Sequence, residues 1–484
     1  MAEDKQEKET PGIKYKKKDF AKWYPDVVVK SGMADYSPIA GCMIIRPHAY
    51  AIWESIQKHF DKKLKDAGHR NAYFPLFIPE KFLKKEAEHF EGFTPEVAWV
   101  EGDNEKFALR PTSETIIYDS FSKWIRSWRD LPLLVNQWCN IVRWETKVTR
   151  LFLRTREFLW QEGHTAHITK EEADKEVKLT LDLYRDLIEN QLAIPILIGE
   201  KTPKERFPGA LYTMTLEALM PDGKALQMGT THNLGQNFSK PFGIKFIDRD
   251  KKEKYVWQTS WGVSTRLIGA LIMVHGDDKG LVLPPRIAPI QVVIVPIVFE
   301  KPKEIGGEKI TKRQILKKAE ELRKELSKEF SVKLDSRETY SPGWKFNEWE
   351  MRGVPLRIEI GPKDISKNQV VLVRRDTGEK KAVKIKDIKK SADQILENIQ
   401  KNLFARAKKF LKENTVQMKN YNDFKNAIKN KKMVKMGWCG DQKCEDKIQE
   451  DTAATIRLVT KEKPKDKCIC GKKAKSVVYA AKQY

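Results

Sequence analysis

R-W-E-T-K-V-T-R-L-F-L-R-T-R-E-F-L-W-Q-E, residues 143–162, is the stretch on which the reading of this chain turns. A strand, a basic loop and a return strand predict a long antiparallel hairpin, with Arg143 and Glu145 on the first strand and Arg154, Phe158, Trp160 and Glu162 on the second. Alternation puts those last four on one face. Arginine clamps phosphate oxygens in bidentate fashion, phenylalanine stacks on a purine, and Glu145 can accept from an exocyclic amine. That chemistry suits a nucleotide better than it suits packing.

Two further phrases flank the hairpin. Upstream, an amphipathic helix opened by Pro47, with Trp53, Ile56, Phe60 and Leu64 on one face, is stopped by Gly68 and leads into G-H-R-N-A-Y-F-P and a strand. Downstream, G-V-S-T-R at residues 262–266 enters an apolar helical run. Each alone is weak, because R-x-E recurs by chance and a G-x-x-x-R loop is commonly a turn entering a helix. In this order and spacing they resemble motifs 1, 2 and 3 of the class II aminoacyl-tRNA synthetases.

The bulk numbers agree with a nucleic-acid partner. The chain has 484 residues, enough for about three domains, and a formal charge of +24 with pI ≈ 9.5. A basic surface kept for solubility is the bland alternative; with a nucleotide hairpin present, RNA is favoured. The longest apolar run, near residue 287, is too short and proline-broken to span a membrane, and no signal peptide is seen. A cytoplasmic enzyme is expected. Residues 1–19, with the cluster Lys16, Lys17 and Lys18, read as a flexible leader.

Six cysteines divide unevenly. Cys42 and Cys139 lie singly and read as small apolar residues. Cys439, Cys444, Cys468 and Cys470 crowd the end as C-x4-C, 23 residues, C-x-C. A large cytosolic chain seldom builds a disulfide framework, so the four suggest structural zinc, with four reduced thiols as the alternative.

The expected fold class is multidomain α/β. Residues 20–285 alternate helices and strands and hold the nucleotide motifs. Residues 286–402 read as a small α/β unit: a buried strand at Q-V-V-I-V-P, a helix capped by Thr311, a short helix near Phe346, the strand V-P-L-R-I-E-I-G, a hairpin and a final helix from about Ala392. Residues 403–484 form a lysine-dense unit ending in the cysteine cluster and Tyr484.

R-P-T-S-E-T at residues 110–115 selects within the class, since Thr112 and Glu114 can share the two protons of a secondary ammonium. Taken alone, the same letters suit a helix cap. With Q-E-G-H-T-A-H, R-F-P-G-A, Q-M-G-T-T-H-N-L-G-Q and W-G-V-S-T-R, the chain resembles the prolyl-tRNA synthetases over almost its whole length, and more narrowly their archaeal and eukaryotic type.

That resemblance implies a class II catalytic domain, an antiparallel sheet flanked by helices, followed by an anticodon-binding domain and a zinc-binding-like C-terminal domain. It implies L-proline, ATP, Mg2+ and tRNA(Pro) as substrates and partners, and a homodimer. Arg143, Arg154 and Arg266 would form the catalytic set, Arg143 holding the α-phosphate and the proline carboxylate, Arg154 the γ-phosphate, and Arg266 sandwiching the adenine with Phe158. Glu145, Thr155, Phe158, Gln227, Thr230 and Ser264 complete the ATP set. Thr112, Glu114, Trp160, Glu162, Phe207 and His232, with Arg143, would hold proline. Lys345, Glu348, Glu350, Arg352, Arg357, Glu359 and Lys363 are candidates for reading the anticodon, with Trp344 and Trp349 either stacking on bases or sitting in the core. Threonine precedes Arg266 where many class II enzymes have glutamate, which leaves magnesium ligands unassigned. About a hundred residues separate Glu162 from Gly262, too few for the large editing insertion of bacterial relatives. The rivals are a threonine enzyme, which would need a metal in the catalytic domain, a relic without catalysis, which would have lost motif arginines, and a basic zinc-containing RNA-binding protein, which explains none of the motifs.

Overall fold

The computed structural model describes residues 11–89, 97–103, 105–144 and 148–484. Its spine is an eleven-stranded sheet. In chain order the strands are β1 (Arg70–Asn71), β2 (Leu133–Val142), β3 (Glu157–His167), β4 (Leu197–Glu200), β5 (Tyr212–Leu219), β6 (Lys224–Gly235), β7 (Trp257–Ser264), β8 (Thr415–Gln417), β9 (Met433–Trp438), β10 (Ala454–Val459) and β11 (Ser476–Gln483). They lie in the order β8-β9-β11-β10-β4-β5-β6-β7-β3-β2-β1. The C-terminal strands thus extend the catalytic sheet instead of forming a separate layer.

The helix Pro47–Asp66 buries Ile52, Trp53, Ile56, Phe60 and Leu64, as its apolar spacing requires. The chain after it is not one strand: only Arg70–Asn71 and Phe77–Pro79 are extended, with Pro75 between them. The helix Lys170–Arg185 starts at a capping box, Thr169 with Glu172. The helix Arg266–His275 is apolar on every side because both its faces are covered, with Leu267 to Met273 all buried.

The central hairpin differs from expectation at its tip. β2 ends at Val142 and β3 starts at Glu157, so Arg154 and Thr155 are not on the return strand. Leu151, Phe152 and Leu153 are buried in the main core, and Phe152 takes φ 61°. The intervening turn pairs Arg150 with Arg154 through backbone bonds of 2.7 and 2.9 Å. Apolar residues at the loop's tip therefore pull it out of the ladder. Glu145 lies outside the described residues.

Residues 11–19 are not a loose leader. Ile13 and Tyr15 pack on the core, Lys14 N donates to Asp26 at 2.6 Å, and Lys17 Nζ donates to the Gly276 carbonyl at 2.6 Å. A second sheet joins strands Val292–Pro296, Val332–Leu334, Leu356–Ile360, Gln369–Arg374 and Lys380–Lys384 beside the helix Lys312–Leu326. The last helix of that unit runs Ile388–Glu413, so the division expected at 402 falls inside it. Its buried stripe, Leu396, Ile399, Leu403 and Ala407, continues unbroken across that position.

Candidate active site

A cavity of about 240 Å³ opens on the face of the catalytic sheet. Strand alternation delivers most of its lining. Phe158, Trp160, Glu162 and His164 come from one face of β3, Thr213 from β5, Gln227, Thr230 and His232 from β6, and Ser260 and Ser264 from β7. Thr112 and Glu114 lie at the start of the helix Glu114–Trp124, Arg143 just beyond β2, and Arg266 at the head of its helix. Gly163 is required: a Cβ there would stand 2.0 Å from the Trp261 ring.

One end is rigid and carboxylate-lined. Thr112 Oγ1 donates to Glu114, and the helix lacks a side-chain cap, so the capping reading of this phrase fails. Glu162 is buried and accepts from Ser113 Oγ, from Gln137 Nε2 at 2.9 Å and from His164 Nε2 at 2.9 Å. Burial pushes the Glu162 carboxyl up, but the His164 contact and the Ser113 and Gln137 hydrogen bonds outweigh it and leave the group below its ordinary range. The reciprocal pull of Glu162 raises His164 despite its burial. Each partner thus favours the charged form of the other. Phe207 faces His232 with ring centres 4.6 Å apart, and the His232 Nδ1 bonds Thr213 Oγ1 at 2.8 Å.

The other end is cationic. Arg143 Nε donates to the Pro111 carbonyl at 3.1 Å, and its guanidinium lies 5.6 Å from the Phe158 ring centre and 5.9 Å from that of Trp160. Arg266 bonds the carbonyls of Leu153 at 3.3 Å and Gln227 at 3.4 Å. Burial, then the neighbouring Arg143 charge, pulls its pKa down to about 10. Two guanidiniums sharing one cavity suit an anion between them.

Of the sequence candidates, Thr112, Glu114, Arg143, Phe158, Trp160, Glu162, Phe207, Gln227, Thr230, His232, Ser264 and Arg266 line this cavity. Arg154 and Thr155 do not. The Thr155 hydroxyl donates to the Glu157 carbonyl at 2.7 Å, and Thr155 faces a different cavity, with Tyr24, Tyr36 and Cys42. Sequence reasoning missed His164, Lys201, Glu205, Thr213, Ser260 and Trp261. His164 was within reach, two residues past Glu162 on the same face; Lys201 carried no signal.

The anticodon candidates are mostly inward. Lys345, Glu348, Arg357 and Glu359 are buried, whereas Glu350 and Arg352 are half-buried and Lys363 is exposed. Glu348 pairs with Arg337 and with Arg352, and Arg357 pairs with Glu359 at 2.9 Å. Trp349 is buried and donates to Asp335, while Trp344 is half-buried and stacks on Tyr340 at 3.8 Å.

At the C-terminus the four cysteine sulfurs lie within 4.8 Å of one another. Cys444 to Cys468 and Cys439 to Cys470 are each 3.8 Å. A disulfide needs about 2.05 Å. Four sulfurs about 2.3 Å from one tetrahedral metal would stand about 3.8 Å apart.

Burial also sets the response to acid. It pushes His48 and His275 down to about 4 and His232 to about 3, and lowers His167, whereas Glu162 moves His164 up. Below pH 6.5 the unfolded chain binds protons that His48 and His275 refuse down to about 4 and His232 down to about 3, with His167 acting in the same direction, so their stabilisation is complete above 6.5 and lost as pH falls. His164 acts in the opposite sense. The urea midpoint at pH 5 is therefore expected below that at pH 7.5; equal midpoints would show that the buried histidines carry protons in the fold.

Three family models match the chain: the class II core domain of tRNA synthetases (G, H, P, S and T) at residues 98–275, an anticodon-binding domain at residues 291–394, and the prolyl-tRNA synthetase C-terminal model at residues 421–484. The chain is 55% identical over 447 residues to the proline–tRNA ligase of Natranaerobius thermophilus, covering 91% of this chain and 90% of that one. It is 52% identical to that of Clostridium botulinum over the full length of both. Among solved structures, the prolyl-tRNA synthetase of Cryptosporidium parvum complexed with halofuginone and AMPPNP superposes with a TM-score of 0.92 at 45% identity, covering 98% of this chain and 99% of that one. No helix among the described residues is long and apolar enough to cross a membrane.

Proposed function

This chain belongs to the prolyl-tRNA synthetases, and from that membership we propose that both steps of proline–tRNA ligation occur in the cavity described above. In the first step the proline carboxylate attacks the α-phosphorus of ATP, supplied with magnesium, and pyrophosphate leaves. In the second, the terminal ribose hydroxyl of tRNA(Pro) attacks the acyl carbon of the adenylate and AMP leaves. No side chain serves as a covalent nucleophile. Catalysis comes from holding the reactants in line and from arginines that meet the charge developing on phosphorus.

The observation that carries this reading is one cavity with a carboxylate end and a cationic end. Thr112 and Glu114 suit the ring nitrogen; Trp160, Phe207 and His232 suit the pyrrolidine, and neutral His232 adds no competing charge. The His164–Glu162 pair holds the floor. Arg143 suits the α-phosphate and the carboxylate between the two ends, while Phe158 and Arg266 suit the adenine faces. Glu145 keeps its proposed contact to the adenine amine. Proline-dependent exchange of pyrophosphate into ATP, absent with threonine, is the expected result; exchange with threonine instead would overturn the assignment.

Reading of tRNA(Pro) we assign to the second sheet. Lys363, Arg352 and Glu350 offer accessible groups to the bases, while the buried ion pairs of Glu348 and of Arg357 with Glu359 fix the surface. A homodimer built on the helix Pro47–Asp66 and a cytoplasmic setting complete the reading. The cysteine geometry supports one structural zinc held by Cys439, Cys444, Cys468 and Cys470, which would cross-link the C-terminal unit.

The enzyme we propose also lacks a second sieve. The interval from β3 to β7 is taken up by the helix Lys170–Arg185, β4, β5, β6 and short connecting elements, all parts of the catalytic body. A pocket shaped for a five-membered ring does not exclude a smaller side chain, since a missing methylene is worth only about 1–3 kcal/mol. Alanine is therefore expected to be activated, and pre-formed alanyl-tRNA(Pro) to persist as long with enzyme as without it. Accelerated deacylation would reveal an editing site in this chain.

A further inference from the structure

The C-terminal unit joins the catalytic sheet at a seam where Val459 of β10 pairs with Glu200 of β4, and again where β11 runs parallel to β6, Lys482 beside Lys224 and Gln483 beside Ala225. The approach is close: a Cβ on Gly199 would stand 2.5 Å from the Val459 carbonyl oxygen. Beside this seam lies a buried charge cluster. Glu217 of β5 accepts from Lys201 Nζ at 2.8 Å, from Thr215 Oγ1 at 2.9 Å, and from Nε and Nη2 of Arg457 at 3.1 Å. Lys201, Glu217 and Arg457 are 4%, 0% and 3% exposed.

Arg457 is aimed there by the backbone. The register of β10 against β11 passes from Ile456 to Leu458, leaving Arg457 unpaired in the ladder, and such a bulge turns a side chain out of ordinary alternation. Its Nη1 is fixed from the C-terminal side by Thr455 Oγ1 at 3.0 Å and by Gln483 Oε1.

Two cations share one carboxylate, at a depth where an uncompensated charge is costly. The Lys201 side of the cluster faces the reactant cavity, which Glu205 also lines. Lys201 lines it beside Gln227, which is the cross-strand partner of Glu217 and whose carbonyl accepts from Arg266. Among the described residues the Lys201 ammonium has one hydrogen-bond acceptor, Glu217, so N–H groups remain for a ligand.

We propose that Arg457 is a positioning residue for proline activation: by holding Glu217 from the C-terminal unit, it keeps the Lys201 ammonium in the cavity wall, where it meets a phosphate oxygen of bound ATP. This rests on the reading of the cavity as the site of ATP-dependent activation. With Arg457 gone, both carboxylate oxygens fall to Lys201, which closes into a neutral pair and turns from the nucleotide.

The test is proline-dependent pyrophosphate exchange by the full chain, with ATP and proline varied separately. Arg457→Met and Lys201→Met are each expected to raise KM for ATP about tenfold while leaving KM for proline within about twofold, and the double variant to be no worse than Lys201→Met alone. Glu445→Gln serves as control: Thr202 Oγ1 donates to Glu445 Oε1 at 2.8 Å across the same seam, and this variant should keep the wild-type KM for ATP. A wild-type KM in Arg457→Met, or Arg457 and Lys201 effects that multiply independently, overturns the proposal. So does a Glu445→Gln variant that reproduces the defect, because the loss would then lie in docking. If Arg457→Met does not fold, Arg457→Lys carries the test, since it keeps the charge and loses the paired contact; an unchanged KM for ATP overturns the proposal there too. Failure of the wild-type chain to exchange with proline would instead remove the reading of the cavity.

Discussion

Arg143→Ala is expected to lower proline-dependent pyrophosphate exchange by about a hundredfold or more, the loss typical of removing one donor that meets charge in the transition state. The side chain is half-buried at the end of β2, and its Nε contact to the Pro111 carbonyl aims the guanidinium into the cavity. It contributes little to the cores, so circular dichroism and tRNA binding should change little. Lysine at this position keeps the charge and loses the planar fork, which places Arg143→Lys between wild type and alanine. Exchange near the wild-type rate in Arg143→Ala would rule out this role.

The second large effect concerns the terminal cysteines. Purified chain is expected to hold one zinc, and Cys468→Ser to hold close to none, with protease cutting the region after residue 415 before the catalytic core. Structural zinc sites of this kind contribute about 10–16 kcal/mol of binding free energy in isolated peptides. The unit's own core is small: Phe424, Ile428, Val434, Met436, Ile448, Ile456 and Val478 surround the cysteines, and Cys468 is itself 1% exposed. Without the metal, four thiols brought together have no common partner. Because β9, β10 and β11 extend the catalytic sheet, loosening is expected to spread as far as Val459 and Glu200, yet Phe60, Trp53 and Tyr184 lie in the main core beyond that seam. A metal assay finding far less than one zinc per wild-type chain would end this reading. Simultaneous proteolysis of both units would end the claim of independent loosening.

Local chemistry was legible from letters alone. A strand's two-residue period puts Phe158, Trp160 and Glu162 on one face whatever surrounds them, and a helix's period puts Trp53, Ile56, Phe60 and Leu64 on one stripe. The phrase spacing was enough to identify the catalytic and anticodon-binding units, and the terminal cysteines were visible as a set. These features follow from covalent geometry and short-range order, which travel with the sequence. The tip of the hairpin was not legible: alternation extended the strand through Arg154, but burial of Leu151, Phe152 and Leu153 outweighed strand continuity. Nor was the inward pairing of Lys345, Glu348, Arg357 and Glu359, since a charged residue in sequence does not reveal which opposite charge will share its desolvation. The cluster of Lys201, Glu217 and Arg457 is the clearest case. Its members are brought together by the stacking of strands from two units and by a bulge at Arg457, and no spacing along the chain encodes that meeting. Tertiary structure decided it because a buried charge must find its counter-charge wherever the packed sheet makes one available.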